Sequence, residues 1–370
     1  MTYLSGLSTF VPELVSNEMF YKMFPLTRWT KKADGSAVRI PLTSEWLLSA
    51  TGLHSRALAL REVDGRAVAT TSEEESICGV ARQAVAMAGL TPRDIDAVVI
   101  VSATLRGSMF HDGWRTMWEQ IGFKPECLPV HLSLGCSGLA SGLSVSEALS
   151  HRYKNVLLVT SHFSSSVLSG DQGGMYTDES DKLLGITYSL FGDAVGAVVV
   201  SQNREARGPG PILRLQHLEN TFSPHERLMF KSDVTGIFHM DGARVKTLYL
   251  PQLLCNLRTL TKQVNSGTGI NAESLCPELG DVVRGKFSAL LCHQANPRIL
   301  QEAAGLLKLN SIELPISADV YGNTSAPGTL VLLHQQLGQR ADLQKGARFA
   351  FSWVGAGLGM QRGNAIMELE

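Results

Sequence analysis

Short, continuous apolar segments alternate with helical patterns along this chain, and the alternation limits the folds that it can adopt. Four of these segments are Ile95–Ser102, Asn155–Ser161, Phe287–Cys292 and Phe349–Val354. Unbroken apolar runs of this length are typical of strands that are covered on both faces. The clearest helix is 71–90, where Ser72 followed by Glu75 predicts a capping box. Buried strands that alternate with helices predict a layered α/β fold.

The same local plan occurs twice. In each half of the chain, a strand leads into a turn rich in glycine and serine, and a helix of small residues follows. Cys136 opens one of these turns and Asn323 lies in the other. We therefore predict two related halves, residues 1–201 with the cysteine and residues 202–370 with a histidine and an asparagine. A chain of 370 residues is long enough for both.

Composition excludes several classes of protein. The formal net charge is −1, which argues against a protein built mainly to hold nucleic acid or an anionic membrane. No apolar run is long enough to span a bilayer, and the N-terminus lacks the pattern of a secretory signal. Six scattered cysteines without a C-x-x-C pair, and histidines without metal-ligand spacing, favour a reduced cytoplasmic protein without a metal site.

Cys136 lies between Gly135 and a run of small residues that reads as a closely packed helix. A cysteine in the first turn of a helix meets unpaired backbone N–H groups and the positive end of the helix dipole. These favour the thiolate, which is the nucleophilic form. The alternative is a small buried apolar side chain, as many single cysteines are. This stretch alone does not decide between a nucleophile and a packing residue.

Three distant segments contain possible partners for a nucleophilic cysteine. His293 follows a predicted buried strand, Asn323 lies in a glycine-flanked turn before a helix, and 355–359 is a Gly-Ala-Gly-Leu-Gly turn after the strand 349–354. Side chains that follow strands of an α/β sheet commonly gather at one site. Taken singly, each has a structural explanation: a core histidine, a helix cap or turn residue, and a tight turn.

As a set, these segments resemble β-ketoacyl-acyl carrier protein synthase III, of the thiolase superfamily. The segments that carry the resemblance are the Cys136 turn, His293-Gln-Ala-Asn296, Gly322-Asn-Thr-Ser325, Gly355-Ala-Gly357, Phe191-Gly-Asp-Ala-Val-Gly-Ala-Val-Val199 and Ala50-Thr-Gly-Leu53. They follow the family's order and cover nearly the whole chain. The resemblance implies a five-layered αβαβα fold with two halves related by a pseudo-twofold axis, and a homodimer.

The resemblance also implies roles for individual residues. Cys136 would take an acyl group from an acyl-CoA or acyl carrier protein thioester. His293 and Asn323 would bind a malonyl-type carbonyl and stabilise the enolate that forms when CO2 leaves. The backbone N–H groups of Cys136 and Ala356 would form the oxyanion hole, without a metal or redox cofactor. The residues that would contact substrate are Trp46, Phe110, Asn296, Gly355 and Gly357.

Some positions depart from the family's pattern. The family has an arginine four residues after the tryptophan that corresponds to Trp46, and this chain has Ala50 there. The loop 170–184 is also longer than in the fatty-acid enzymes. These departures favour a specialised relative in fatty-acid-like or secondary-metabolite biosynthesis. The alternatives are an acyltransferase that forms an ester or amide, and a non-catalytic subunit that pairs with another ketosynthase.

Overall fold

A mixed sheet forms the framework of the protein. The computed structural model describes residues 1–32, 34–105, 112–168, 189–204, 208–223, 230–232, 238–240, 242–264, 276–357 and 359–370. Within these residues the main sheet has nine strands. They are β1 (Thr2–Phe10), β8 (Ala97–Ser102), β9 (Leu128–Leu132), β10 (Val156–His162), β11 (Ala194–Ser201), β12 (Leu213–Ser223), β15 (Ala289–Cys292), β16 (Arg348–Gly357) and β17 (Gly359–Leu369).

The strand order repeats from one half of the chain to the other. The first half runs β1-β11-β10-β8-β9, and the second runs β12-β17-β16-β15. β8 is parallel to β10, as β15 is to β16, and β1 joins the halves by antiparallel pairing with β12. Leu290 N–H donates to the Glu313 carbonyl at 2.7 Å. The backbone at residue 313 therefore lies beside β15, as β9 lies beside β8 in the first half. The division at residues 201 and 202 stays a prediction.

Two helices of small residues lie between the two halves of the sheet. α5 (Gly138–Ser150) contacts β8 and β10 on one side and β12 and β16 on the other. α11 (Gly328–Gln339) contacts β1, β11 and β15. A Cβ atom at Gly142 would lie 2.7 Å from Val101 Cγ2 and 2.8 Å from Leu158 Cδ1. Only glycine lets α5 approach the sheet this closely, and this is why the helix reads as a run of small residues.

Further helices cover the outer faces. α3 (Glu73–Met87) and α4 (Asp112–Ile121) pack on the first half, and the predicted capping box of Ser72 and Glu75 is present. α7 (Gly242–Val264), α8 (Cys276–Lys286) and α9 (Pro297–Leu307) pack on the second half. The layers are helix, sheet, helix, sheet, helix. This is the predicted five-layered αβαβα arrangement.

Shorter elements decorate this core, and some differ from prediction. The region 13–45 contains the hairpin of β3 (Thr27–Lys31) and β4 (Ala37–Pro41), whose cross-strand pairing is not visible as an alternating sequence pattern. The plan that occurs in both halves predicts a strand before the Asn323 turn, but the helix α10 (Ala318–Tyr321) forms there. The remaining elements are β2 (Leu14–Ser16), α1 (Asn17–Met23), β3 (Thr27–Lys31), β4 (Ala37–Pro41), α2 (Ser44–Thr51), β5 (Ser55–Ala57), β6 (Leu60–Val63), β7 (Arg66–Ala69), a 3₁₀ turn (Pro92–Asp94), α6 (Ser164–Leu168), β13 (Phe230–Ser232), β14 (Phe238–Met240) and α10 (Ala318–Tyr321).

In the part of the chain that the structure describes, no helix combines the length and the apolar character that crossing a bilayer would require.

Candidate active site

Cys136 lies in the turn between β9 and α5. The helix begins at Gly138 and Ser137 is its cap residue, with φ −93° and ψ 6°. The prediction that Cys136 lies inside the first turn is therefore wrong by two residues, because the chain turns once more before it becomes helical. The cysteine still lies just before the N-terminus of α5, where the backbone N–H groups lack helical partners. Only 6% of its surface is exposed.

Gly355 packs directly against this cysteine. A Cβ atom on Gly355 would lie 2.5 Å from Cys136 Cβ and 3.5 Å from the Ser137 nitrogen. The sequence predicted a turn from Gly355 onwards, but β16 continues to Gly357 and pairs with β17. That prediction is wrong because the glycines continue the antiparallel pairing of β16 with β17. The backbone therefore approaches the cysteine as the end of a hairpin, and glycine is required at residue 355 to leave room for the Cys136 side chain.

Ser325 connects the cysteine to the asparagine. Its hydroxyl lies 3.9 Å from Cys136 Sγ, and its N–H donates to Asn323 Oδ1 at 2.9 Å. The Asn323 backbone is fixed on both sides, since its N–H donates to the Leu190 carbonyl and its carbonyl accepts from Gly192 N–H. Because Oδ1 is occupied, the Nδ2 hydrogens of Asn323 are the donors that this carboxamide has left.

His293 follows β15 directly and is almost completely buried, with 1% of its surface exposed. Its N–H donates to the Ser352 carbonyl at 2.9 Å, and its carbonyl accepts from Tyr249 Oη at 2.9 Å. Burial and, to a smaller extent, His162 lower the pKa of the imidazole to about 3, against an opposing effect of the nearby Ser325 backbone. Within the described residues, neither ring nitrogen has a hydrogen-bond partner of good geometry.

Three segments that are far apart in sequence therefore meet around Ser325. Cys136 and Asn323 contact it, and the His293 ring lies close to its backbone. Tyr249, which holds the His293 carbonyl, lies within electrostatic reach of Cys136. Neutral donors beside a buried sulfur form a site that can stabilise negative charge on a reacting carbonyl oxygen. The chemical roles of these residues stay predictions.

The predicted substrate-contacting residues are placed less uniformly. Trp46 is half-buried on α2. Asn296 caps α9, and its Oδ1 accepts from the N–H groups of Arg298 at 2.8 Å and Ile299 at 3.4 Å. The carboxamide oxygen of Asn296 is thus used by the helix. Phe110 lies outside the described residues.

Sequence reasoning missed two residues that shape the site. Tyr249 lies in the long helix α7, and nothing in its local pattern distinguishes it from a packing residue. Gly192 carries a clearer signal, since it stands in the Phe-Gly-Asp segment. A Cβ atom there would lie 2.0 Å from the Tyr321 carbonyl oxygen. This glycine therefore lets the Asn323 turn pack against residues 191–193, where Phe191 forms a parallel bridge with Asn323.

No group of three histidine, cysteine, aspartate or glutamate side chains in the described ranges is arranged to hold a metal ion.

Comparison with known proteins finds similarity to the family that the motifs resemble. Residues 282–368 match the family model described as 3-oxoacyl-[acyl-carrier-protein] synthase III C terminal. A β-ketoacyl-[acyl-carrier-protein] synthase III of Lactobacillus helveticus is 25% identical, over 88% of this chain and 90% of that protein. A protein of the same name from Vibrio parahaemolyticus is 28% identical, over 78% of this chain and 79% of its own length.

Solved structures share the fold over the full length. The 3-oxoacyl-[acyl-carrier-protein] synthase III of Aquifex aeolicus superposes with a TM-score of 0.72 at 20% identity and covers 100% of both chains. A tetronic acid condensing enzyme superposes with a TM-score of 0.75 at 16% identity, over 99% of each chain. Xanthomonas campestris OleA, solved with lauric acid and lauroyl-CoA bound, gives 0.74 at 14% identity, over 100% of this chain and 99% of that one. The predicted thiolase-like fold is therefore confirmed, and the chain is similar to β-ketoacyl-[acyl-carrier-protein] synthases III in sequence as well as in structure.

Proposed function

We propose that this protein is a decarboxylating, carbon–carbon bond-forming ketosynthase. An acyl group is loaded on Cys136 from a coenzyme A or carrier-protein thioester, and the enzyme then condenses it with a malonyl- or β-ketoacyl-type thioester. One observation carries this proposal. Ser325 touches Cys136 Sγ and Asn323 Oδ1 and lies beside the buried His293 ring, so a thiol and two neutral donors share one site.

In the first step, the Cys136 sulfur attacks the thioester carbonyl and the thiol of coenzyme A or the carrier leaves. The tetrahedral oxyanion needs donors that are already in place. The backbone N–H groups of Cys136 and Ala356 suit this role, because Gly355 brings the end of β16 against the cysteine. A single such donor typically contributes about a 10²- to 10³-fold rate enhancement.

In the second step, His293 and Asn323 donate hydrogen bonds to the thioester carbonyl of the malonyl-type substrate. Breaking the bond to CO2 leaves an electron pair in the enolate, which those two donors stabilise. The enolate carbon attacks the acyl carbonyl, and the Cys136 thiolate leaves. Because burial holds the pKa of His293 at about 3, the imidazole acts as a neutral donor at physiological pH. The electrons stay within the substrates, so this route calls for no metal or redox cofactor.

The test is release of CO2 from a malonyl thioester together with the mass of the intact protein after incubation with acyl thioesters. Cys136→Ala should abolish both the mass increase and CO2 release that depends on the acyl donor. Cys276→Ala, which changes a partly exposed cysteine at the start of α8, is the matched control and should keep both. Full turnover by Cys136→Ala would contradict the mechanism. Formation of an ester or amide without malonyl consumption would favour the acyltransferase alternative.

We further infer a homodimer, built on the exposed edge of the main sheet. β9 is the last strand on its side and is paired only with β8 among the described strands. Its apolar side chains Leu128, Val130 and Leu132 are only partly buried in the single chain. Natural proteins seldom leave such an edge uncovered. Light scattering should give twice the mass of one chain for the wild type, and the mass of a single chain for Val130→Lys. A monomeric wild-type protein would refute this inference.

The cytoplasm is the compartment that we propose for this enzyme. None of the six cysteines forms a disulfide bond in the part of the chain that the structure describes. Reduced thiols persist where the compartment is reducing. Cell fractionation with a cytoplasmic marker tests this, and recovery with a secreted fraction would contradict it.

A further inference from the structure

His162 is a second histidine beside the active site that the proposed mechanism does not use. It is the last residue of β10, and 9% of its surface is exposed, yet neither ring nitrogen meets solvent. Neither nitrogen has a hydrogen-bond partner among the residues that the structure describes. The ring packs against Phe191 with 5.1 Å between ring centroids.

The alternation of β10 places His162 on the face of the sheet that carries the chemistry. Leu158 lies against Gly142 of α5, and Thr160 lies beside Gly196 close to α11. His162 follows at the same two-residue interval, so it faces the central helix layer at the end of the strand. Cys136 opens the helix on that face, and Phe191, which contacts the His162 ring, forms a bridge with Asn323.

Electrostatics supports this placement. A positive charge on His162 lowers the pKa of His293, so the two rings are within interaction distance. Burial lowers the pKa of His162 to about 4. The ring is therefore neutral at physiological pH and offers one N–H donor and one nitrogen acceptor.

A buried imidazole with neither nitrogen paired is costly. Native structures contain few buried polar groups without a partner, because such a group loses its hydrogen bonds to water and gains none in return. A ligand oxygen would supply the missing partner. The carbonyl of the malonyl-type substrate is already assigned to His293 and Asn323, whereas the Phe191 ring beside His162 suits a hydrocarbon chain.

We propose that His162 hydrogen-bonds a hydroxyl or keto oxygen on the acyl group carried by Cys136, so that the preferred acyl donor is an oxygenated acyl thioester. This inference rests on the proposed function, since it requires that Cys136 is acylated. His162 is then a specificity-determining residue: it selects the acyl chain and takes no part in bond making.

The experiment compares loading of Cys136 by matched pairs of thioesters. Each pair is a saturated acyl-CoA and the 3-hydroxyacyl-CoA of the same length, at short, medium and long chain lengths, followed by intact-protein mass spectrometry. The wild-type enzyme should load the 3-hydroxyacyl group faster at its preferred length. His162→Phe should reduce that preference roughly 5- to 100-fold, the range expected for one buried hydrogen bond. His162→Gln, which keeps a donor and an acceptor, should retain part of it.

His151→Phe, at an exposed histidine that ends α5, is the control and should leave the preference unchanged. If wild type loads the saturated chain faster at every length, the proposal is wrong, and this result does not depend on whether a variant folds. Equal preference in wild type and His162→Phe would also overturn it while leaving the proposed function intact. Failure of every thioester to load Cys136 would refute the proposed function itself.

Discussion

Replacing Gly355 with alanine tests the packing that brings β16 against the nucleophile. The added Cβ would lie 2.5 Å from Cys136 Cβ. Ordinary carbon–carbon contacts are about 3.5–4.0 Å, so the overlap is roughly 1 Å. Either the hairpin or the start of α5 must move by about that distance. Overpacking of this kind costs about 1–3 kcal/mol of unfolding free energy, and a shift of ~1 Å at a reacting group can cost ~10²-fold in rate.

The assay is the rate of Cys136 acylation, with urea unfolding measured on the same preparation. Gly355→Ala should load acyl groups about 100-fold more slowly and unfold at lower urea. Gly79→Ala is the matched control, because Gly79 lies within α3 and a Cβ atom there would meet nothing within 4 Å. It should gain up to about 1 kcal/mol from helix propensity and keep its loading rate. If Gly355→Ala loads at the wild-type rate with unchanged stability, the close contact described for this strand is not real.

Three further predictions concern buried polar groups. Burial raises the pKa of Glu73 from 4.5 to about 7, so its contribution to stability is complete below pH 4.5 and is lost as the pH rises through 7. Glu73→Gln should remove a pH dependence of the unfolding free energy on the order of 3 kcal/mol, measured by thermal unfolding at several pH values. The same dependence of stability on pH in the wild type and in Glu73→Gln would contradict this. Thr329→Val leaves the Trp353 indole N–H without the hydroxyl that accepts it at 2.8 Å, and should lower the unfolding free energy by about 1–3 kcal/mol in urea titrations; no loss would mean that the bond is replaced. Since the pKa of His293 is about 3, decarboxylation rates measured from pH 5 to 8 should show no inflection from this residue. An inflection near pH 6.5 that disappears in His293→Gln would refute the role of His293 as a neutral donor.

Local signals predicted the regular elements well where one physical effect dominates. The Ser72–Glu75 capping box marks the start of α3, and Pro297 marks the start of α9, because each satisfies or avoids unpaired N–H groups at a helix end. The continuous apolar runs correctly gave buried strands. Patterns that depend on a partner strand were harder to see. The β3–β4 hairpin has no local alternation, and the extension of β16 to Gly357 depends on pairing with β17.

The candidate site shows the same division. Cys136, His293 and Asn323 were found from motifs, since each follows a strand or opens a turn where side chains reach the end of the sheet. Tyr249 and His162 could not be found in this way. Their place in the site depends on how helix α7 and strand β10 pack in three dimensions, and neighbouring residues in the sequence carry no trace of that packing.

The position of β1 has a consequence for how the chain is made. Residues 2–10 pair with 194–201 on one side and 213–215 on the other. When a ribosome releases the first strand, both partners are still untranslated, and at ~5–20 residues per second they follow only after roughly 10–40 s. During that interval the backbone hydrogen-bonding groups of β1 have no partner strand and can pair with other chains. We therefore expect the yield of native enzyme to depend on chaperones, and an N-terminal fusion that delays entry of β1 into the sheet to increase aggregation.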